Sequence, residues 1–314
     1  MTIKNVVVAG GGVLGSQIAY QAAYKGFAVT VWLRSEGSVE RAKPKFEQLR
    51  QTYLATLEAM KSDPAAYCRG LADTPELSAD EIEQLKQRAQ QAFESIVFTT
   101  SYEAAAKEEI LIEYGQAIAE DPKQKDAFYA ELAKYLPEST ILVTNSSTLL
   151  PSQIAASTGR PEKFLALHFA NRIWRNNTAE VMGHPGTDQA AYDEVVRFAA
   201  DLGMVPLQLH KEQPGYILNS MLVPFLNAAE ALYATGVADP ETIDKTWMLG
   251  TGAPLGPFRI LDIVGLTTAY NIVVLDPRTK DPDSVPAKIA AALKERIDAG
   301  KTGVDAGEGF YRYN

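Results

Sequence analysis

The sequence predicts an α/β fold, a doubly wound parallel sheet carrying a helical insertion, followed by an all-α C-terminal domain. Three observations carry this. Ile3 to Ala9 is β-branched and apolar with no period-2 alternation after Asn5, the signature of a strand buried on both faces. Glycines, a helical stretch from Leu14 to Tyr24, Gly26 and a second apolar run from Ala28 to Leu33 then complete a strand–turn–helix–strand unit within about 30 residues. After Gln213 the strand-like runs stop and helical patterns take over.

The remaining elements follow in order. Polar Glu/Gln/Lys/Ala-rich helices from about 38 to 95, broken near Asp63-Pro64 and Thr74-Pro75, form the insertion. Strands are expected at Ile96–Thr99, Ile110–Glu113, Ile141–Thr144, Phe164–His168 and Met204–Leu209, with a crossover helix over Asp121–Leu136. Helices over Tyr216–Tyr233, Pro240–Leu249, Thr267–Leu275 and Ser284–Ala299 fill the second half. The domains are therefore 1–210 and 211–314, meeting near His210–Gln213.

Composition narrows the function. The 314 residues are 46% hydrophobic and 22% charged, an ordinary globular balance in a chain long enough to build cores without covalent staples. The single cysteine, Cys68, excludes an internal disulfide framework and a multi-thiolate metal site, and suits a reducing compartment. Thirty Lys+Arg against 39 Asp+Glu give a net charge of -9, with a pI near 5.0. No basic surplus exists to neutralise a nucleic-acid backbone. The N-terminus lacks the apolar stretch of a signal peptide, no window approaches the roughly 18 apolar residues of a membrane span, and the C-terminal YRYN matches no lipidation or peroxisomal signal. A cytoplasmic protein with no membrane partner is expected.

Gly10-Gly11-Gly12-Val13-Leu14-Gly15 matches G-x-G-x-x-G between a strand and a helix, the context a Rossmann-type dinucleotide site requires. Gly10 permits the tight turn, Gly12 lets the backbone approach a pyrophosphate, and Gly15 lets helix pack on strand. N–H groups at the helix start, at Val13 and Leu14, would then meet the negative charge. NAD-binding versions place an acidic residue at the end of the second strand. Leu33 stands there, followed by Arg34 and Ser35, which suit a 2′-phosphate. NADP(H) is therefore expected over NAD(H), and Glu36 alone pulls toward a ribose hydroxyl.

Three histidines exist. His184 sits in a Gly-His-Pro-Gly turn and His210 beside Lys211-Glu212, whereas His168 closes an apolar run at the edge where open α/β sheets keep their sites. Asn145-Ser146-Ser147 follows the preceding strand at the same edge, Glu180 lies further along, and Pro214-Gly215-Tyr216 opens a helix with Asn219 in its first turns. Each has a bland alternative: Ser147 as a helix cap, Asn219 as a helix-surface residue, Glu180 as a solvated charge.

With these residues the chain resembles the L-3-hydroxyacyl-CoA dehydrogenases, the 3-hydroxybutyryl-CoA enzymes among them, nearly end to end. The glycine loop, Gln116-Ala117-Ile118-Ala119-Glu120 with Lys125, Asn145-Ser146-Ser147, His168-Phe169-Ala170-Asn171, Glu180 and Pro214-Gly215-Tyr216 through Asn219 fall in register. So do Gly252-Ala253-Pro254-Leu255-Gly256-Pro257-Phe258 and Gly307-Glu308-Gly309-Phe310-Tyr311. The resemblance implies hydride transfer at C3 of a 3-hydroxyacyl-CoA. His168 would be base in oxidation and acid in reduction, a role that suits a side chain titrating near neutrality. Glu180 would orient the imidazole and stabilise its protonated form, and Ser147 and Asn219 would bind the reacting oxygen. Glu120, Lys125 and Asn145 would lie near the cofactor.

The pattern breaks after Asn171. Where the acyl-CoA enzymes run Asn-Pro and then apolar residues, this chain has Arg172-Ile173-Trp174-Arg175. Asn171 and Arg172 are therefore candidate substrate contacts, and an anionic or polar substrate held by arginine becomes possible. The alternative to an acyl-CoA is thus a free polar 3-hydroxy acid, as in gulonate- and carnitine-oxidising relatives. The insertion carries its basic residues early, at Arg41, Lys43 and Lys45, which leaves CoA contact there open. Two readings from other classes are a regulator that binds cofactor without catalysis and a metal hydrolase. The intact Ser147, His168, Glu180 and Asn219 set argues against the first, and scattered histidines without ligand spacing against the second. The apolar helical half, with the family's habit, implies a homodimer built through the second domain.

Overall fold

The structure is a computed structural model that describes residues 3–106, 109–113 and 121–313. In chain order β1 (Asn5–Ala9), α1 (Val13–Tyr24) and β2 (Ala28–Trp32) form the opening unit, and α2 (Glu36–Ala59) and α3 (Ala79–Ser95) form the insertion. Next come β3 (Val97–Thr99), α4 (Tyr102–Ala105), β4 (Ile110–Glu113), α5 (Pro122–Leu132), β5 (Ile141–Thr144), α6 (Pro151–Ile154), β6 (Phe164–Phe169), β7 (Thr178–Met182), α7 (Gln189–Asp201) and β8 (Val205–Leu209).

The strands form one sheet in the order β3-β2-β1-β4-β5-β6-β7-β8. From β3 to β6 every pairing is parallel. β7 then runs antiparallel to β6, with β8 parallel to β7. β1 shows why the opening run has no alternation: Val6 and Val8 enter the core on one face, Val7 and Ala9 the core on the other. The strand order reverses between β1 and β4, and such a switch point opens a crevice at the carboxyl ends of the strands. The glycine loop leaves β1 there.

The insertion packs on α1. The Tyr53 ring of α2 meets the Tyr20 ring of α1 edge-on at 4.8 Å, and its hydroxyl donates to Gln21 Oε1 at 2.7 Å. Tyr20 in turn donates to the Ala89 carbonyl of α3 at 2.7 Å. Ser78 and Glu81 form a reciprocal capping box at the start of α3.

The chain separates into two compact units, one up to Ile217 and one from Leu218 onward. The second is helical: α8 (Tyr216–Ala234) continues into it, followed by α9 (Pro240–Thr251), α10 (Pro257–Val264), α11 (Leu266–Val273) and α12 (Val285–Asp298). Its core gathers Leu226, Phe258, Leu261, Leu266 and Leu293. Two buried carboxylates tie it together. Asp244 accepts the Phe258 N–H at 2.8 Å and the Tyr311 hydroxyl at 2.9 Å, and Asp262 accepts the N–H groups of Phe310 and Tyr311.

The sequence reading is corrected at several points. It names no element at β7, α7 or α10. It also expects no window near membrane-spanning composition, yet α8, 19 residues with Glu230 as its one charge, is by length and composition apolar enough to cross a membrane. Asn219 and Asn227 interrupt that apolar run, and Glu230 itself is buried.

Candidate active site

Gly10 leaves β1 at φ 132°, a conformation that only glycine adopts without strain, and its N–H donates to the Trp32 carbonyl at the end of β2. Gly12 caps α1 with extended backbone and no side chain, its carbonyl accepting from Ser16 N. The helix start therefore presents bare backbone. α2 comes close: a Cβ on Gly11 would fall 2.7 Å from that of Ala42. Between them lies a cleft of about 150 Å³ lined by Gly11, Gly12, Arg34, Ser38, Arg41 and Lys45 among others. Lys45 Nζ donates to the Gly11 carbonyl at 3.2 Å, and Arg41 donates to Ser38 Oγ at 2.8 Å. A glycine turn beside three cations fits a phosphorylated dinucleotide.

Ser35 is the N-cap of α2, its hydroxyl accepting from Ser38 N. Glu36 accepts from Thr100 Oγ1 at 3.1 Å, on the β3 side. Val13 is half exposed and Leu14 buried at the start of α1.

The second centre lies where β5, β6 and β7 come together. Beyond β5 the chain turns on Ser146, whose N–H donates to Thr144 Oγ1 and whose hydroxyl accepts from Leu149 N at 3.0 Å. Asn145 Oδ1 accepts the Phe169 N–H at 2.9 Å, stapling the ends of β5 and β6. The turn delivers exposed Ser147 with its Oγ 3.1 Å from His168 Nε2. Ser147 is not a helix cap: α6 begins with Leu150 as its N-cap.

His168 and Glu180 stand directly opposite each other in the antiparallel β6–β7 register, which puts their side chains side by side on one face. His168 Nδ1 is 3.0 Å from Glu180 Oε2. Both residues are buried, at 7% and 3% exposure, so Glu180 is no solvated charge. The second carboxylate oxygen, Oε1, accepts the Ile217 N–H at 2.8 Å. Occupied on both oxygens, the carboxylate fixes Nδ1 as the protonated nitrogen and leaves Nε2 to the Ser147 side. Tyr216 covers the imidazole, ring centroids 4.2 Å apart and planes 10° from parallel, and donates to the Ser146 carbonyl at 2.7 Å.

Of the other expected residues, Lys125 is fully buried on α5, and Asn171 and Arg172 are exposed in the turn after β6. Arg172 takes φ 59°, its N–H donating to Gln17 Oε1. Arg175 lies against the Cys68 thiol, whose pKa is raised by burial and lowered by that guanidinium. Asn219 lies one turn into α8, in the second unit. Glu120 and the rest of Gln116-Ala117-Ile118-Ala119 fall outside the described residues. The sequence reading did not single out Ser38, Arg41 and Lys45 as cleft residues, nor Tyr216 and the Ile217 N–H as neighbours of the dyad. Arg41 and Lys45 carried a signal, as the early charges of the insertion; the roles of Tyr216 and Ile217 depend on how β7 pairs.

Comparison with known proteins identifies the family. Residues 5–213 match the profile of the 3-hydroxyacyl-CoA dehydrogenase NAD binding domain, and residues 215–313 that of the 3-hydroxyacyl-CoA dehydrogenase C-terminal domain. The mitochondrial hydroxyacyl-coenzyme A dehydrogenase of Rattus norvegicus is 32% identical over 99% of this chain and 91% of its own length. A probable 3-hydroxybutyryl-CoA dehydrogenase of Bacillus subtilis is 30% identical over 100% and 98%. Among solved structures a diketoreductase, described for substrate-directed dual catalysis of dicarbonyl compounds, superposes with a TM-score of 0.84 at 47% identity over the whole of both chains. With both domain profiles matched in order, the chain belongs to the 3-hydroxyacyl-CoA dehydrogenase family, a family of nicotinamide-dependent oxidoreductases.

Proposed function

We propose that the protein interconverts a 3-hydroxyacyl-CoA and the corresponding 3-ketoacyl-CoA. The observation that carries the reading is the relay Ser147 Oγ, His168 Nε2, His168 Nδ1, Glu180, buried behind an exposed serine. In oxidation the C3 hydroxyl proton passes to His168 Nε2 while Ser147 holds the same oxygen; in reduction Nε2 returns it to the carbonyl oxygen. Glu180 offsets the charge the imidazole gains. A bound nicotinamide takes or supplies the hydride at C3. Asn219, carried over from the family pattern, is the proposed second donor to the reacting oxygen.

For the cofactor we favour NADP(H). Arg34, Ser38, Arg41 and Lys45 support a 2′-phosphate at the cleft beside Gly11 and Gly12. Glu36, which argued for a ribose hydroxyl, is held by Thr100. The assembly proposed is a homodimer through the second unit, where Met221, Leu232, Leu249 and Leu275 stand exposed.

One observation favours a second reading. The 47% identity to a diketoreductase, above that of the acyl-CoA enzymes, supports a dicarbonyl substrate without CoA. A 3-ketoacyl thioester is itself a 1,3-dicarbonyl, so the same relay serves both. Arg175, part of the case for a free polar 3-hydroxy acid, is engaged with Cys68. Reduction of acetoacetyl-CoA and of ethyl acetoacetate, each with NADPH and with NADH, tests the proposals together. Turnover at least tenfold more efficient with the thioester supports the CoA reading, and the reverse supports the second. An advantage of NADH over NADPH by the same margin overturns the cofactor assignment.

A further inference from the structure

Two described residues other than glycine hold a positive φ, and one of them, Tyr216 at 54°, touches the relay. L side chains rarely adopt this conformation, and a bulky one persists there only when its surroundings over-determine it. Gly215 before it is left-handed too, at 79°, so the chain makes a tight left-handed entry into α8. Contacts of the Tyr216–Ile217 dipeptide reach different parts of the site. The ring lies flat on His168. The hydroxyl donates to the carbonyl of Ser146, next to Ser147. The following N–H, of Ile217, donates to Glu180. The ring is 1% exposed, wedged against Ala166 and Met182.

This arrangement answers a need that the hydrogen bonds alone do not meet. A swing of the imidazole about its own axis loses Ser147 and Glu180 together. An aromatic face 4.2 Å away and nearly parallel blocks that swing.

We propose that Tyr216 is a positioning residue for proton transfer: its ring fixes the plane of His168, and its hydroxyl pins the Ser146–Ser147 turn. This rests on His168 as the proton-transfer group, and the first test does not depend on any substrate. Only three histidines are present, so a protein labelled with carbon-13 histidine gives three Cε1–H signals, and His168→Gln assigns the one it removes. In the wild-type protein the His168 signal should be displaced upfield by the Tyr216 ring current. In Tyr216→Leu the displacement should vanish, and Tyr216→Phe, which keeps the ring, should restore it. With an active substrate, Tyr216→Leu should lower kcat, with KM for the nicotinamide cofactor unchanged. A wild-type His168 signal without ring-current displacement overturns the proposal, and needs no variant to fold. So does a folded Tyr216→Leu protein whose kcat equals that of the wild type. If neither acetoacetyl-CoA nor a simple dicarbonyl turns over, the functional reading fails while the ring-current displacement still decides whether Tyr216 holds the imidazole plane.

Discussion

Glu180 takes an N–H donor on each carboxylate oxygen, and this decides what its replacement should do. His168 Nδ1–H and the Ile217 N–H each occupy one carboxylate oxygen. Glutamine offers one acceptor oxygen and one NH2, so in Glu180→Gln either donor confronts another donor. The imidazole is then released from its tautomer or the α8 entry is left unpaired, and the charge that offsets imidazolium is gone. Turnover should fall by about 10²–10⁴, as it should in His168→Gln, with circular dichroism unchanged. A Glu180→Gln enzyme within tenfold of wild type would show that the pair is structural. Arg34 makes the second prediction at this scale. Removing one charge-assisted contact to a 2′-phosphate is worth about tenfold or more. Arg34→Ala should therefore raise KM for NADPH by that factor and leave KM for NADH nearly unchanged; an equal rise for both cofactors would place Arg34 outside the phosphate site. The residues named in these tests were legible because types and spacing mark them: a histidine closing an apolar run, a serine after the neighbouring strand, an arginine just beyond the position where an acid usually stands. Tyr216 and the Ile217 N–H carried no such mark, since one acts through ring placement and the other through backbone.

At the scale of elements, the strands written as apolar runs could be read and β7 could not. Thr-Ala-Glu-Val-Met alternates polar and apolar over only four residues, although Ala179 to Met182 are all buried, and a glutamate at its centre argues against a strand on propensity alone. The strand pairing places that glutamate in the site: β7 runs antiparallel to β6 and sets Glu180 opposite His168. A similar blind spot covers α10, whose start at Pro257 reads as the end of a glycine–proline turn. What fixes α10 is distant in sequence. Asp244 on α9 accepts from Phe258 N and Arg259 N at its first turn, the work of an N-cap done by a residue of another helix, and it also accepts the Tyr311 hydroxyl. Asp244→Ala leaves these donors without an acceptor at a buried site. It should destabilise the second unit by about 2–4 kcal/mol, read as a lower urea midpoint, while cofactor binding by the first unit survives. A loss under about 0.5 kcal/mol, the ordinary range for surface positions, would mean the helix start is held by other contacts.

On the scale of the whole molecule, one group inside the second unit ties folding to pH. Glu230 is 3% exposed on the core face of α8, and its Oε1 has no hydrogen-bond partner among the described residues. Burial pushes its carboxyl up from 4.5 to about 7, because the charged form loses its hydration. The unfolded chain releases that proton near the ordinary carboxyl value, whereas the folded chain keeps it. Between the two values the folded state therefore binds more protons, and stability falls as pH rises. Below the lower value both states are protonated and nothing is lost; above about 7 both are ionised and the loss is complete. A shift of this size corresponds to about 3 kcal/mol at most. Glu230→Gln, which cannot ionise, removes this dependence while keeping the shape of the side chain. Urea denaturation of wild type and variant at pH 5 and pH 8 should show a small difference at the lower pH. At the higher pH the variant should gain by about 1–3 kcal/mol relative to that difference. The titration must appear as this change with pH, since swapping acid for amide adds an offset of its own at every pH. If the two stability curves run parallel from pH 5 to pH 8, Glu230 is ionised in the folded protein as in the unfolded one, and a partner must reach it when the chain assembles.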